Sequence, residues 1–178
     1  MNVWLRTVGN PASTHRQGRL AAMAVDRARE QVADLVGWSR DGVVFTSGAT
    51  EANALALASG RWAVSAVEHP SVLAWGAVEL PVNADGAVFL DALASQLTDA
   101  SLTGVSIQLA NNETGVLQPI AELACVVHGA GKLLHVDAAQ APGRISLGAL
   151  TNADFVSVSA HKFGGPQGSG ALLVRPGP

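Results

Sequence analysis

The sequence is poor in charged residues, cysteine and aromatic side chains, and these shortages exclude several classes of protein. Only 14% of the 178 residues are charged and the formal net charge is -3, so we expect no nucleic-acid binding. The single cysteine, Cys125, excludes an internal disulfide and a CxxC metal site, and it fits a reducing cytoplasm. With no signal-peptide pattern near Met1 and no uninterrupted apolar run of about 18 residues, we predict a cytoplasmic protein without a membrane segment.

Small and β-branched apolar residues are abundant instead, and hydrophobic residues make up 48% of the chain. This composition suits buried parallel strands flanked by helices, so we predict an α/β fold with one domain over residues 1–178. The apolar runs that predict strands are residues 43–46, 63–67, 78–82, 104–110, 132–136, 155–158 and 171–174. The segments with helical spacing or composition are residues 13–36, with Ser13 as the cap, and residues 50–58, 90–97 and 120–127.

Polar side chains cluster directly after the predicted strands and mostly not before them. In a mainly parallel sheet the carboxyl ends of the strands share one edge, where ligand crevices form, so we expect the clusters to converge on one site. The clusters are residues 47–50, Glu68 with His69, residues 111–113, Asp137 with Gln140, and Ser159 with His161 and Lys162.

Three of these clusters suggest a phosphorylated aldehyde cofactor, although each allows another interpretation. Residues 47–50 precede a helix and suit either a phosphate or an ordinary helix cap. Asp137 ends an apolar strand, where a carboxylate either pairs with a pyridine nitrogen or caps a helix. Lys162 ends another strand, and its amine either forms an imine with an aldehyde or lies at the surface. The other lysine, Lys132, begins a strand and is predicted to lie at the opposite end from the polar clusters.

Taken in order, these motifs resemble those of cysteine desulfurases of the NifS/IscS type, which are pyridoxal-phosphate (PLP) enzymes of the class V aminotransferase group. The resemblance runs from residue 9 to residue 175 and implies the large domain of a fold type I PLP-dependent transferase, with a mainly parallel sheet in α/β/α layers. The matching segments are NPAS at residues 10–13 with His15, FTSGATEAN at 45–53, EHP at 68–70, NNETGV at 111–116, HVDAAQ at 135–140 and SAHK at 159–162.

The resemblance implies nine cofactor-binding residues, which are Ala49, Thr50, His69, Asn112, Asp137, Gln140, Ser159, His161 and Lys162. The first two would hold the PLP phosphate from the start of a helix, with Ser159 and His161 on the other side.

The other five residues would serve the ring and the substrate. His69 would stack on the pyridine ring, Asp137 would pair with the ring nitrogen and Gln140 would bond the phenolic oxygen. Asn112 would support the ring and the incoming substrate. Lys162 would carry the cofactor and act as acid and base, so Lys162 and His69 are the predicted catalytic residues.

The implied activity is conversion of L-cysteine to L-alanine with sulfur transfer for iron-sulfur cluster supply, in a homodimer that serves a sulfur-acceptor protein. Family members are about twice as long, and their smaller C-terminal domain supplies the sulfur-accepting cysteine. The present chain is therefore expected to be a fragment without that cysteine, since Cys125 is predicted to be a buried structural residue in the helix at 120–127. The alternatives are a selenocysteine lyase, an aminotransferase or a non-catalytic remnant.

Overall fold

The computed structural model describes residues 4–175, and one seven-stranded sheet organises them. The strands lie in the order β1-β7-β6-β5-β4-β2-β3, and β7 alone runs antiparallel to its two neighbours, so the predicted mainly parallel sheet is confirmed. The strands are β1 (Val43–Thr46), β2 (Trp62–Ser65), β3 (Gly76–Leu80), β4 (Gly104–Ser106), β5 (Leu133–Asp137), β6 (Phe155–Ser159) and β7 (Gly170–Val174).

Helices cover both faces of the sheet, which confirms the α/β/α layers. The helices are α1 (Arg16–Ala33), α2 (Ala49–Leu57), α3 (Pro70–Leu73), α4 (Leu90–Gln96) and α5 (Ile120–Gly129), with short 3-10 turns at Trp4–Arg6, Arg40–Gly42, Gly148–Asn152 and Ala160–Phe163. Successive strand residues point to opposite faces, as they must in a pleated strand. In β2, Trp62 and Val64 pack in the smaller core with α2 and α3, whereas Ala63 packs in the larger core with α4 and α5.

The topology brings sequence-distant loops to one edge. Because β1, β2, β4, β5 and β6 run in the same direction, the segments that follow them leave the sheet on the same side. These are the segments that hold the polar clusters of the sequence. The predicted convergence at the carboxyl ends of the strands is therefore present.

Every predicted strand and helix exists, but the predicted cap of the first helix is wrong. Helix α1 begins at Arg16, and the Nδ1 atom of His15 accepts a hydrogen bond from the backbone N–H of Gly18 at 3.2 Å. Gly18 packs directly under Ser13, whose carbonyl oxygen would lie 2.2 Å from an added Cβ. The chain turns tightly there, so Ser13 lies before the helix and not at its cap.

The prediction that Cys125 is buried is also wrong. Helix α5 exists as predicted, but it packs on the core through Leu123, Ala124 and Val127, whereas Cys125 is exposed. An α-helix turns by about 100° per residue, so a residue next to two inward-facing neighbours can still face water. Apolar neighbours in the sequence were therefore a poor guide to the burial of Cys125.

Two structural absences hold for residues 4–175. None of the helices in this range is long and apolar enough to cross a membrane. Nor do the described side chains include three His, Cys, Asp or Glu residues grouped closely enough to hold a metal ion.

Candidate active site

A cavity of about 410 Å³ lies at the carboxyl edge of the sheet. All nine residues predicted to bind a cofactor line this cavity, although they come from five separate segments of the chain. Their convergence is a consequence of the strand order, which places the loops after β1, β2, β4, β5 and β6 side by side. The remaining lining residues are Ser47, Gly48, Ser71, Gln108, Ala110, Ala139, Gln167 and Gly168.

One end of the cavity is formed by the start of α2. The first backbone N–H groups of an α-helix have no intrahelical acceptor and form a positive dipole end, so Ala49 and Thr50 present groups that suit an anion. The turn before the helix is held by Glu51, whose Oε2 accepts hydrogen bonds from the backbone N–H and the hydroxyl of Ser47, both at 2.7 Å. These bonds lower the pKa of the exposed Glu51 carboxyl, and they keep the turn in place.

The loop after β6 closes the same end of the cavity. Ser159 Oγ lies 3.0 Å from His161 Nδ1, so these two predicted phosphate contacts are themselves paired. Strand β7 approaches the turn before α2 so closely that a Cβ at Gly170 would lie 2.6 Å from the Cα of Gly48. The absence of a side chain at Gly170 therefore allows the two segments to meet.

Asp137 is a buried carboxylate that lines the cavity from the end of β5. Its Oδ1 accepts a hydrogen bond from the backbone N–H of Ala139 at 2.9 Å, and its Oδ2 accepts one from Asn53 Nδ2 at 2.8 Å. Burial raises the pKa of the Asp137 carboxyl, while these two hydrogen bonds and the charge of Lys162 oppose the shift. A cationic group beside Asp137 would favour the ionised form further.

His69 reaches the cavity from the N-cap of the short helix α3. Its Nδ1 accepts a hydrogen bond from the backbone N–H of Ser71 at 3.1 Å, and the hydroxyl of Ser71 lies 2.8 Å from the same nitrogen. Sequence analysis did not predict α3, because four residues give no periodicity. The Pro at its first position, Pro70, is the only local indication of a helix start.

Gln140 and Lys162 are joined through Arg144, whose role sequence analysis missed. The Arg144 guanidinium donates to Gln140 Oε1 at 2.8 Å and to the backbone oxygen of Lys162 at 2.6 Å. Because the Gln140 carbonyl oxygen is engaged by Arg144, its NH₂ group is the part left to donate to a ligand oxygen. Arg144 gave no signal in the sequence because it lies on an irregular, exposed segment.

Lys132 lies away from the cavity, as predicted. Its Nζ donates to the backbone oxygens of Ala100 at 3.2 Å and Leu102 at 2.5 Å, near the start of β5. Lys162 is therefore the one lysine of the described residues that lines the cavity.

The chain is similar to known proteins over almost its whole length. Residues 2–177 match the family model described as aminotransferase class-V. A cysteine desulfurase of Cereibacter sphaeroides is 41% identical, covering 95% of this chain and 49% of that protein. An IscS-like cysteine desulfurase of Mycobacterium tuberculosis is 40% identical, covering 96% of this chain and 49% of that protein. The chain thus spans about half the length of the curated relatives it matches.

Solved structures extend the similarity to three dimensions. A NifS-like protein from Rickettsia africae matches with a TM-score of 0.89 and 33% identity, covering 97% of this chain and 52% of that chain. A structure of SspA in complex with cysteine matches with a TM-score of 0.84 and 29% identity, covering 94% of this chain and 54% of that chain.

Proposed function

Because the chain belongs to the aminotransferase class-V family, we propose that it binds PLP in the cavity and forms the cofactor-binding part of a cysteine desulfurase. The observation that supports this most directly is that Lys162 and Asp137 line the same cavity. PLP enzymes require both a lysine for the aldehyde and a partner for the pyridine nitrogen.

The residues present fit the chemistry of PLP. An anionic phosphate suits the start of α2, and a protonated pyridine nitrogen suits the buried Asp137, because a cation beside it would compensate the unfavourable burial of its carboxylate. A phenolic oxygen suits the NH₂ group of Gln140, whose carbonyl oxygen already accepts from Arg144. In this arrangement Ala49, Thr50, Ser159 and His161 would hold the phosphate, while His69 and Asn112 would contact the ring.

When bound, PLP supplies an electron sink for negative charge that develops at the substrate α-carbon. The side chains of the protein would orient the cofactor and the substrate, and they would move protons. Asp137 would keep the ring nitrogen protonated, and Lys162 Nζ would hold the cofactor and then accept and return a proton at the α-carbon. His69, an exposed residue that lines the cavity, would exclude water from one face of the ring and donate a proton to the substrate.

The proposed substrate is L-cysteine, and the proposed products are L-alanine and a sulfur atom passed to a thiol. Support comes from relatives named cysteine desulfurase and from the neighbour SspA in complex with cysteine. Cys125 lies on the outer side of α5 and does not line the cavity, so it is poorly placed to receive the sulfur. The 178-residue chain alone should therefore release little sulfide from L-cysteine in the presence of a reductant. Homodimer formation and delivery to a sulfur-acceptor protein stay predictions from the resemblance.

PLP binding is tested by absorption spectroscopy on wild type and two lysine variants. Wild type and Lys132→Ala should develop the visible absorption band of lysine-bound PLP, whereas Lys162→Ala should not, because it lacks the amine that faces the cavity. Asp137→Ala should weaken PLP binding at least about tenfold, since a charge-assisted hydrogen bond is lost.

Lys132→Ala is the matched control, since Lys132 precedes β5, at the opposite end of the strand from Asp137, and donates to backbone oxygens there. Equal bands in wild type and Lys162→Ala, or equal PLP affinity in wild type and Asp137→Ala, would contradict the proposed site.

A further inference from the structure

Asn53 is a buried polar residue whose contacts reach two separate groups of the candidate site. It lies on α2 among Ala52, Ala56 and Leu57, which all belong to the smaller core, and it does not line the cavity. Its Nδ2 nevertheless donates to Asp137 Oδ2 at 2.8 Å and to Ser71 Oγ at 3.0 Å. Asn53 thus connects the last residue of β5 with the start of α3.

Hydrogen-bond chemistry fixes the orientation of the Asn53 amide. Exchanging its oxygen and nitrogen would place a carbonyl oxygen against the Asp137 carboxylate, which is repulsive. In the orientation present, Asn53 Oδ1 is buried and has no hydrogen-bond partner among the described residues. Burial of an unpartnered amide oxygen is unfavourable, and an apolar residue would avoid it. A residue that only filled the core would therefore not be an asparagine.

The direction of the next hydrogen bond assigns the tautomer of His69. The Ser71 hydroxyl accepts from Asn53, which leaves its own hydrogen free for His69 Nδ1 at 2.8 Å. The backbone N–H of Ser71 can only donate, and it points at the same nitrogen at 3.1 Å. Nδ1 must therefore be unprotonated, and neutral His69 has its proton on Nε2.

We propose that Asn53 and Ser71 are positioning residues which hold Asp137 and His69 in a fixed relation and keep the His69 proton on Nε2. This inference rests on the proposed PLP site and adds two residues outside the nine predicted ones. Its consequence for Asp137 is that the Asn53 hydrogen bond favours the ionised carboxylate that a protonated ring nitrogen needs. For His69, the consequence is that Nε2, on the side of the ring away from Ser71, carries the proton and can donate a hydrogen bond.

The first experiment measures PLP affinity by absorbance titration. Asn53→Leu, which keeps the number of side-chain heavy atoms and the branch at Cγ, should weaken PLP binding about tenfold, because a hydrogen bond to a charged group is lost. The matched control is Leu57→Val, which removes one buried methylene from the same helix but leaves every hydrogen bond of the network in place. It should leave the PLP dissociation constant within about twofold of wild type. Equal affinities for Asn53→Leu and wild type would overturn the positioning of Asp137.

The second experiment uses ¹⁵N NMR of histidine-labelled protein without PLP, with the His69 signals assigned from a His69→Gln variant. Wild type should show Nδ1 unprotonated and Nε2 protonated. Ser71→Ala keeps the backbone donor and should shift only the Nδ1 signal toward the value of a free nitrogen, and Ser71→Thr should restore it. A protonated Nδ1 in wild type, or no shift in Ser71→Ala, would overturn the inference.

The two experiments separate this inference from the proposed function. If wild type bound no PLP, the proposed function would fail, whereas the tautomer of His69 would still be decided on the cofactor-free protein. If Asn53→Leu does not fold, the NMR measurement still tests the hydrogen bonds between Ser71 and His69. Ser71→Ala is a mild substitution because Ser71 is partly exposed.

Discussion

At the scale of single residues, Glu68 shows how burial beside the cavity alters an ionisable group. Its Oε1 accepts a hydrogen bond from the backbone N–H of Gln108, and its buried Oε2 has no hydrogen-bond partner among the described residues. Burial raises the pKa of Glu68 well above its ordinary value of 4.5, and the negative charge of Asp137 raises it further. The folded protein therefore favours a neutral Glu68.

We expect Glu68→Gln to stabilise the protein at neutral pH. Above pH 4.5 the unfolded chain ionises Glu68 while the folded chain keeps it protonated, so the wild type loses stability as pH rises. The glutamine lacks this titration, and its advantage should grow by up to about 1.4 kcal/mol per pH unit until the folded pKa is reached. Urea unfolding at pH 5 and pH 7 measures the difference between the two proteins. If the difference in unfolding free energy between Glu68→Gln and wild type were the same at both pH values, Glu68 would not be neutral in the folded protein.

At the scale of the elements, a buried polar network joins the three central strands. His135 on β5 lies 2.7 Å from Ser106 Oγ on β4 through Nδ1 and 2.9 Å from Ser157 Oγ on β6 through Nε2. All three side chains are buried on the same face of the sheet. Burial lowers the pKa of His135 to about 3, so the imidazole stays neutral in the folded protein over the physiological range.

This network predicts acid sensitivity. Below pH 6.5 the unfolded chain protonates His135 while the folded chain does not, so stability falls as pH decreases toward the folded pKa of about 3. The His135 contribution should fall by about 2 kcal/mol between pH 7 and pH 5. His135→Gln removes the titration, so its unfolding free energy should change less over this interval than that of wild type. Equal changes in chemical denaturation would argue against a neutral buried imidazole.

The contact between β7 and the turn before α2 gives a second prediction for the elements. A methyl group at Gly170 would lie 2.6 Å from Gly48 Cα and 2.7 Å from Val158 oxygen, and both are backbone atoms that cannot move independently. Gly170→Ala should therefore lower the free energy of unfolding by about 1–3 kcal/mol and displace the turn that faces the phosphate end of the cavity.

Gly129→Ala is the matched control for Gly170→Ala. Gly129 ends α5, and an added Cβ there would meet no atom within 4 Å. This variant should be neutral or more stable by up to about 1 kcal/mol, because alanine restricts the unfolded chain. Thermal unfolding and PLP titration of both variants test the contact. If Gly170→Ala had the stability and the PLP affinity of wild type, the close approach of Gly170 to Gly48 would not be required.

At the scale of the whole molecule, the sequence predicts the site better than it predicts the architecture that builds it. Polar residues after apolar strands, such as Asp137 and Lys162, could be assigned to one edge because strand direction is implied by an α/β fold. The order β1-β7-β6-β5-β4-β2-β3 could not be predicted from apolar runs, since it depends on pairing between segments far apart in the chain.

The supporting residues were missed for physical reasons that differ from case to case. Asn53 lies in a helix rich in Ala and Leu, and only the tertiary structure brings its amide to Asp137 and Ser71. Arg144 contacts Gln140 and Lys162 from an irregular segment without any periodicity. Local sequence patterns can identify ligand-binding residues at the ends of strands. Residues that act through another side chain can be identified only from the three-dimensional structure.

The account depends most on the amine that faces the cavity, and covalent trapping tests it directly. The sequence has two lysines, Lys132 and Lys162, so reduction of the PLP-treated protein with borohydride followed by peptide mass spectrometry can identify the attachment site. We predict that the phosphopyridoxyl group is recovered on the peptide that contains Lys162 and is absent from that peptide in Lys162→Ala. Recovery mainly on Lys132 or the amino terminus, or no modification at all, would contradict the account.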